Sequence, residues 1–237
     1  MIGTNFEELV RLPGVPIDLP VFWVPHTPLD AAWYRPLEEW PEDFQILFDY
    51  NPTLAKQMLA DAGYPDGFTL ELLTSPDPDE LDLSDLIVAQ WDKIGVDVKI
   101  DVRDAATWMA MLHGRRYKHM AFSTYGQGLA ELQLSRQYHS DAYLNWTNYS
   151  NPEVDVLIDK MMAEIDVDER MRWGKEAYPI MMREAPYIPI RPGTEGHFWW
   201  PWLKNYYGER NVGDFTNPWP ILAHIWIDQD LKAEMGF

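Results

Sequence analysis

Carboxylates are the most abundant reactive groups in this sequence. Asp77, Asp79, Glu80, Asp82 and Asp85 crowd one short stretch, and Asp155 and Asp159 stand four apart. Paired carboxylates do acid–base work when burial raises one pKa and leaves its neighbour ionised. That chemistry would belong to a glycoside hydrolase. Neither group sits in a context that favours it. The first falls in a Pro-rich stretch before a helix, where negative charge suits a helix N-terminus, and it reads as a solvated loop. The second reads as the exposed side of a helix. The six histidines, at 26, 113, 119, 139, 197 and 224, form no i, i+4 pair and no His-Glu-x-x-His, so no metal site is expected. The absence of Cys removes thiol nucleophiles, disulfides and thiolate metal sites. Met58, Met109, Met111, Met161 and Met162 lie on apolar helix faces and read as core; no cofactor is expected.

Other residues could bind rather than react. Thr124-Tyr125-Gly126-Gln127-Gly128 follows a strand pattern. Its glycines permit close backbone approach, and Tyr125 and Gln127 offer a ring face, a hydroxyl and an amide. The alternative is an ordinary strand-to-loop turn. Arg136 could meet a carboxylate through its planar guanidinium, or be a surface arginine of an acidic protein. Asn145 and Trp146 precede a turn; Trp146 could stack on a ligand or pack in the core, and Trp23 poses the same choice.

The elements that would position these residues follow from spacing. The 237 residues suffice for one large domain or two small ones. With 46% hydrophobic and 14% aromatic residues, the chain can bury a core. No apolar run reaches the roughly 18 residues of a membrane helix. The formal charge is −19, with 38 acidic against 19 basic residues, and residues 1–104 carry 21 acidic and 6 basic of these. Nucleic acid is therefore not an expected partner, because phosphate binding needs a basic face.

Residues 13–52 hold eight prolines among Trp23, Trp33 and Trp40 and read as an extended segment packed by its aromatics. Asn51-Pro52 starts a helix that Gly63 stops. Phe68–Thr74 reads as a strand, about 83–94 as a helix, and Val96–Val102 as a strand of period two. Asp104 caps a helix ending at Gly114, and Lys118–Thr124 reads as a third strand. Residues 129–150 read as irregular. Asn151-Pro152 starts another helix, and a further one spans about 168–184, with Pro179 expected to kink or end it. Tyr187–Ile190 reads as a short edge strand, and 193–237 as an irregular, Trp-rich tail. Alternating helices and strands predict an α/β layer with mainly parallel strands.

Four stretches in order carry a resemblance. They are Asn51–Phe68 (NPTLAKQMLADAGYPDGF), Ala89–Val98 (AQWDKIGVDV), Asn148–Lys160 (NYSNPEVDVLIDK) and Glu184–Pro189 (EAPYIP). Together they resemble the family 5 extracellular solute-binding proteins of ABC importers, the oligopeptide, dipeptide and nickel binders. The resemblance implies a periplasmic-binding-protein-like (type II) lobe: a mixed, mainly parallel sheet flanked by helices. It implies the C-terminal portion of a two-lobed protein, with the lobe at 20–195 and with 1–19 and 196–237 joining a first lobe that lies upstream. The N-terminus lacks a secretory signal pattern, and an upstream region would supply the signal and any lipid anchor. The implied location is periplasmic or extracellular.

The implied function is substrate binding without catalysis. The partners would be a small solute, peptide or other, and an ABC permease. In peptide-binding members the strand matching Lys118–Thr124 ends in a Trp, and the third residue after it is an Asp that pairs with the peptide's α-ammonium. Tyr125 and Gly128 stand at those positions here, so the resemblance does not carry peptide specificity. Ligand contacts are expected from Thr124, Tyr125, Gly126 and Gln127, with Arg136, Asn145, Trp146 and Trp23 as further candidates. A standalone interaction domain is the alternative, with Trp219, Ile221, Leu222, Ile225, Trp226 and Ile227 as its adhesive surface. Either way, self-association through these exposed tails is expected.

Overall fold

The fold was described from a computed structural model, which describes residues 1–10, 33–123, 130–190, 198–209 and 218–237. Its elements run α1 (Phe6–Val10), α2 (Glu42–Gln45), α3 (Pro52–Asp61), β1 (Phe68–Thr74), α4 (Pro78–Asp92), β2 (Val96–Val102), α5 (Ala105–His113) and β3 (Met120–Ala121). They continue as α6 (Ala130–Gln137), α7 (Pro152–Ala163), α8 (Val167–Glu184), β4 (Leu203–Lys204), α9 (Trp219–Leu222), β5 (Trp226–Ile227) and α10 (Gln229–Glu234).

β1, β2 and β3 form a parallel sheet in the order β2-β1-β3. β1 and β2 pair along their whole length, from Phe68 opposite Val96 to Thr74 opposite Val102. β3 pairs with the far end of β1, Leu72 opposite Met120 and Leu73 opposite Ala121. Parallel neighbours need crossover connections, and α4 and α5 supply them. The turn into β1 is tight. Gly67 has a φ of 75°, and a Cβ there would lie 1.8 Å from the Gly95 carbonyl oxygen that accepts the Phe68 N–H. Glycine alone fits that position.

Two cores divide the lobe. The first lies under the sheet and is mainly aliphatic: Leu70, Leu72, Leu83, Ile87, Ile94, Val96 and Val98, with Trp91 and Phe122. The second lies among α6, α7 and α8 and is aromatic and Met-rich: Trp33, Trp40, Phe44, Phe48, Tyr138, Tyr178, Met161, Met181 and Met182. The expected extended segment is instead, in its described part, a series of short turns. Leu37–Glu39 and Ile46–Phe48 are 3-10 turns flanking α2. Pro36 precedes the first turn and Pro41 precedes α2, and Trp33, Trp40, Phe44 and Phe48 are buried as expected.

Residues 1–10, expected beside an upstream lobe, pack into this one. Leu9 and Ile2 join the sheet core and Phe6 the helical core. The Trp91 indole donates to Thr4 Oγ1 at 3.0 Å, and the Asn5 N–H donates to Gln90 Oε1 at 2.8 Å.

Three further expectations are corrected, and that for Pro179 is narrowed, since it does not end its helix. α4 starts at Pro78, five residues early, because Asp77 accepts from the Asp79 and Glu80 N–H groups. The acidic cluster is thus the first turns of a helix, not a loop. Residues 130–137 form α6. The sequence hid it because half its buried face is glutamine, Gln133 and Gln137. α8 runs through Pro179 without stopping. Tyr178, Met181 and Met182 on either side of the proline are almost wholly buried, and that packing outweighs one lost backbone bond. Residues 187–190 form no strand; Tyr187 packs on the helical core, Ile190 on the sheet core, and Ile188 on both.

Candidate ligand-binding site

β1 hands the chain through α4 to β2 on one side, and β3 lies on the other side of β1. The carboxyl ends of β1 and β3 therefore border a topological switch point, where open α/β sheets place their ligands. Three described features line this end. Phe122 extends β3, its N–H donating to the Leu73 carbonyl at 2.9 Å and its carbonyl accepting from the Trp108 indole at 3.2 Å. The β1 end is held by Glu80, whose Oε2 accepts from Thr74 Oγ1 (3.0 Å), Ser75 Oγ (2.8 Å) and the Ser75 N–H (3.1 Å). The β2 end is tied in by the Arg103 N–H, which donates to the Thr74 carbonyl at 3.0 Å. Thr74 and Ser75 are buried, so this lip is rigid.

Sequence reasoning missed the Thr74–Ser75–Glu80 lock. The signal was present: Asp77-Pro78 repeats the Asx-Pro start that marks α3 and α7, with Glu80 three residues after the cap, as in a capping box.

Thr124, Tyr125, Gly126 and Gln127, which continue from Phe122 and Ser123, lie outside the described residues, as does Trp23. Arg136 is half-buried in the last turn of α6. Asn145 is almost wholly buried and organises the loop before α7. Its Nδ2 donates to the carbonyls of Tyr149 (2.7 Å), His139 (3.2 Å) and Ser140 (3.4 Å), and its Oδ1 accepts from the Tyr149 N–H (3.0 Å). Its polar atoms are engaged inside the protein, which makes it a loop-positioning residue in this geometry. Trp146 belongs to a small third cluster with Leu73, Trp108 and Leu112, and its buried indole N–H has no hydrogen-bond partner among the described residues. Packing therefore accounts for most of its surface.

Asp159 is exposed on α7, as expected, with His139 Nε2 at 3.5 Å. Asp155 is half-buried and accepts from the Ser140 N–H (2.8 Å) and hydroxyl (2.6 Å). Asp155 clamps the Asn145 loop onto the helix. Two of the recognisable stretches also meet in space: the Tyr149 hydroxyl donates to Glu184 Oε2, and Asn151 Nδ2 donates to both Glu184 oxygens at 3.0 Å. Burial and the neighbouring Glu184 charge push the Tyr149 pKa far up, so it stays a neutral donor. Burial likewise pushes Tyr187 up to about 12. The sequence motifs thus encode the join between α7 and α8.

Comparison with known proteins fits this frame. A family model, "Bacterial extracellular solute-binding proteins, family 5 Middle", matches residues 21–152. The glutathione-binding protein GsiB of Salmonella typhimurium is 28% identical over 197 residues, covering 78% of this chain and 36% of the relative. Heme-binding protein A of Haemophilus influenzae is 29% identical over 151 residues, covering 60% of this chain and 28% of the relative. Among solved structures, the periplasmic binding protein DppA of Helicobacter pylori in complex with the peptide STSA superposes with a TM-score of 0.56 at 27% identity. It covers 60% of this chain and 29% of that one. The fold is that of a lobe of a type II periplasmic binding protein. The chain spans about a third of the length of the curated relatives it matches.

Proposed function

The chain belongs to the bacterial extracellular solute-binding proteins of family 5, and from that premise we propose that it is part of the substrate-binding component of an ABC importer. Residues 20–195 form the C-terminal lobe of a two-lobed clamp. Residues 196–237, and any first-lobe contact made by 1–19, join it to the other lobe. The clamp closes on a small solute by hinge motion, and a permease reads the closed form. It works outside the cytoplasmic membrane and performs no reaction. The observation that carries this reading is the family match across the whole parallel sheet, whose strand ends border a switch-point crevice.

Thr124, Tyr125, Gly126 and Gln127 supply the lobe's share of the cleft floor, with Arg136 and Trp23 as flanking contacts. Asn145 and Trp146 shape the cleft from behind. The solute is a small molecule, with glutathione and short peptides the first classes to try, since similar proteins bind them. Gly128 offers no carboxylate, so a free α-ammonium does not decide affinity.

The test is calorimetric titration of the two-lobed protein with glutathione and di- and tripeptides, repeated on Tyr125→Ala. The expected loss is roughly ten-fold or more in affinity, about 1.4 kcal/mol. An unchanged affinity would remove residues 124–127 from the site.

A further inference from the structure

A polar groove lies at the amino end of β3, where the chain leaves α5 and enters the strand. It encloses about 470 Å³ between the 115–119 turn, the 146–149 turn and the start of the segment after α8. Arg115, Lys118 and His119 line one wall, all exposed. Among the described residues the Arg115 guanidinium bonds the Ala142 carbonyl, at 3.2 Å, and Lys118 has no carboxylate partner. His119 Nδ1 accepts from the Glu71 N–H at 3.0 Å, which places its proton on the other nitrogen as a donor. Glu184 is the groove's one carboxylate, and it is already bonded by Tyr149 and Asn151. The floor is the aromatic surface of Tyr117 and Trp146, and the Tyr117 hydroxyl, donating to the Trp146 carbonyl at 2.8 Å, joins the two turns.

Of the four non-glycine residues with left-handed φ among those described, Arg115 (52°) and Asn148 (56°) line the groove, and Ala185 (47°) lies between its lining residues Glu184 and Pro186. Arg115 and Ala185 close the C-termini of α5 and α8, with the Arg116 N–H returning to the Met111 carbonyl at 2.8 Å and the Ala185 N–H to the Met181 carbonyl at 3.0 Å. In a chain of net charge −19, this is a groove with two cations that have no carboxylate partner among the described residues, a histidine donor and an amide from Asn148.

We propose that this groove binds a small, multiply charged oxyanion. Arg115 supplies a planar pair of donors, Lys118 a point charge, and His119 and Asn148 neutral hydrogen bonds.

The experiment is titration of the 237-residue chain with inorganic phosphate at low ionic strength, followed through the indole N–H signal of Trp146 in ¹H–¹⁵N spectra. A saturable shift is expected, weakened at least five-fold by Arg115→Gln and by Lys118→Gln, both exposed and safe for folding. Sodium chloride of equal ionic strength should not reproduce it, and Tyr125→Ala should leave it unchanged. A missing or unsaturable shift overturns the proposal. So does an affinity unchanged from the unsubstituted chain in either variant, reproduction by chloride, or loss of the shift in Tyr125→Ala, which would assign it to the crevice.

Discussion

Tryptophan is mainly buried in the lobe and mainly exposed in the tail, where Trp202 is the buried exception among the described residues. In the lobe, Trp33, Trp40, Trp91, Trp108 and Trp146 are all buried, and their ring faces join segments far apart in sequence. In the tail, Trp219 is 73% exposed and Trp226 55%, and Phe198 is almost fully exposed. The tail does have internal order. Trp200 and Trp202 stack with centroids 4.5 Å apart, Phe237 covers both, and β4 pairs antiparallel with β5. Yet none of its aromatics belongs to the three buried clusters. A hydrophobic residue is not evidence of a core; it is evidence of a surface that needs cover. The lobe supplies its own. The tail's apolar face is the expected seat of the other lobe or, in this chain alone, of a second copy.

The sharpest way to break the contrast is inside the helical core. Phe44 is wholly buried and touches Trp40 (4.9 Å, stacked) and Phe48 (5.5 Å). Phe44→Ala should cost about 3–5 kcal/mol, from lost burial and the cavity left behind. Urea unfolding followed by near-ultraviolet dichroism would measure it. A loss near zero would mean that the 33–48 segment is draped on the lobe, not part of it.

A smaller effect is expected from adding one methyl. Gly174 sits mid-way along α8, where alanine would ordinarily favour the helix by about 1 kcal/mol. A Cβ there would lie 2.4 Å from Trp33 Cζ3 and 3.0 Å from the Met161 sulfur. The ring is held in the core and cannot swing away cheaply. Overpacking should win, with Gly174→Ala destabilising by about 1–3 kcal/mol. A gain in stability on urea unfolding would show that Trp33 is loosely seated.

How much of this was legible in sequence depended on the range of the forces involved. β1 and β2 emerge with their expected bounds, because period-two patterning and flanking turns are local signals. α3 and α7 announce themselves through Asn-Pro starts. α6 does not, since Gln133 and Gln137 are polar residues buried on a face that local patterning reads as exposed. Pro179 does not end α8 because tertiary packing holds a helix that propensity alone would break. At the site, the Tyr-Ser-Asn-Pro and Glu-Ala-Pro stretches were readable as motifs. Their meeting through Tyr149, Asn151 and Glu184 was not, because it joins residues more than thirty apart.

The smallest effect on stability should come from the tail, and there the readout changes. Trp226 is 55% exposed, and its described backbone role is to pair with Lys204. Serine keeps that pairing, so Trp226→Ser should move stability by less than about 0.5 kcal/mol. Its effect should appear in association instead. The chain alone should sediment as a concentration-dependent mixture, because an apolar face without its cover finds another copy. Trp226→Ser should shift that mixture toward monomer at unchanged unfolding midpoint. If the unsubstituted chain is a strict monomer at high concentration, the tail is not adhesive, and its aromatics serve only its own stack around Trp200, Trp202 and Phe237. A variant that lost stability instead would place Trp226 within a core, and the contrast between lobe and tail would fail.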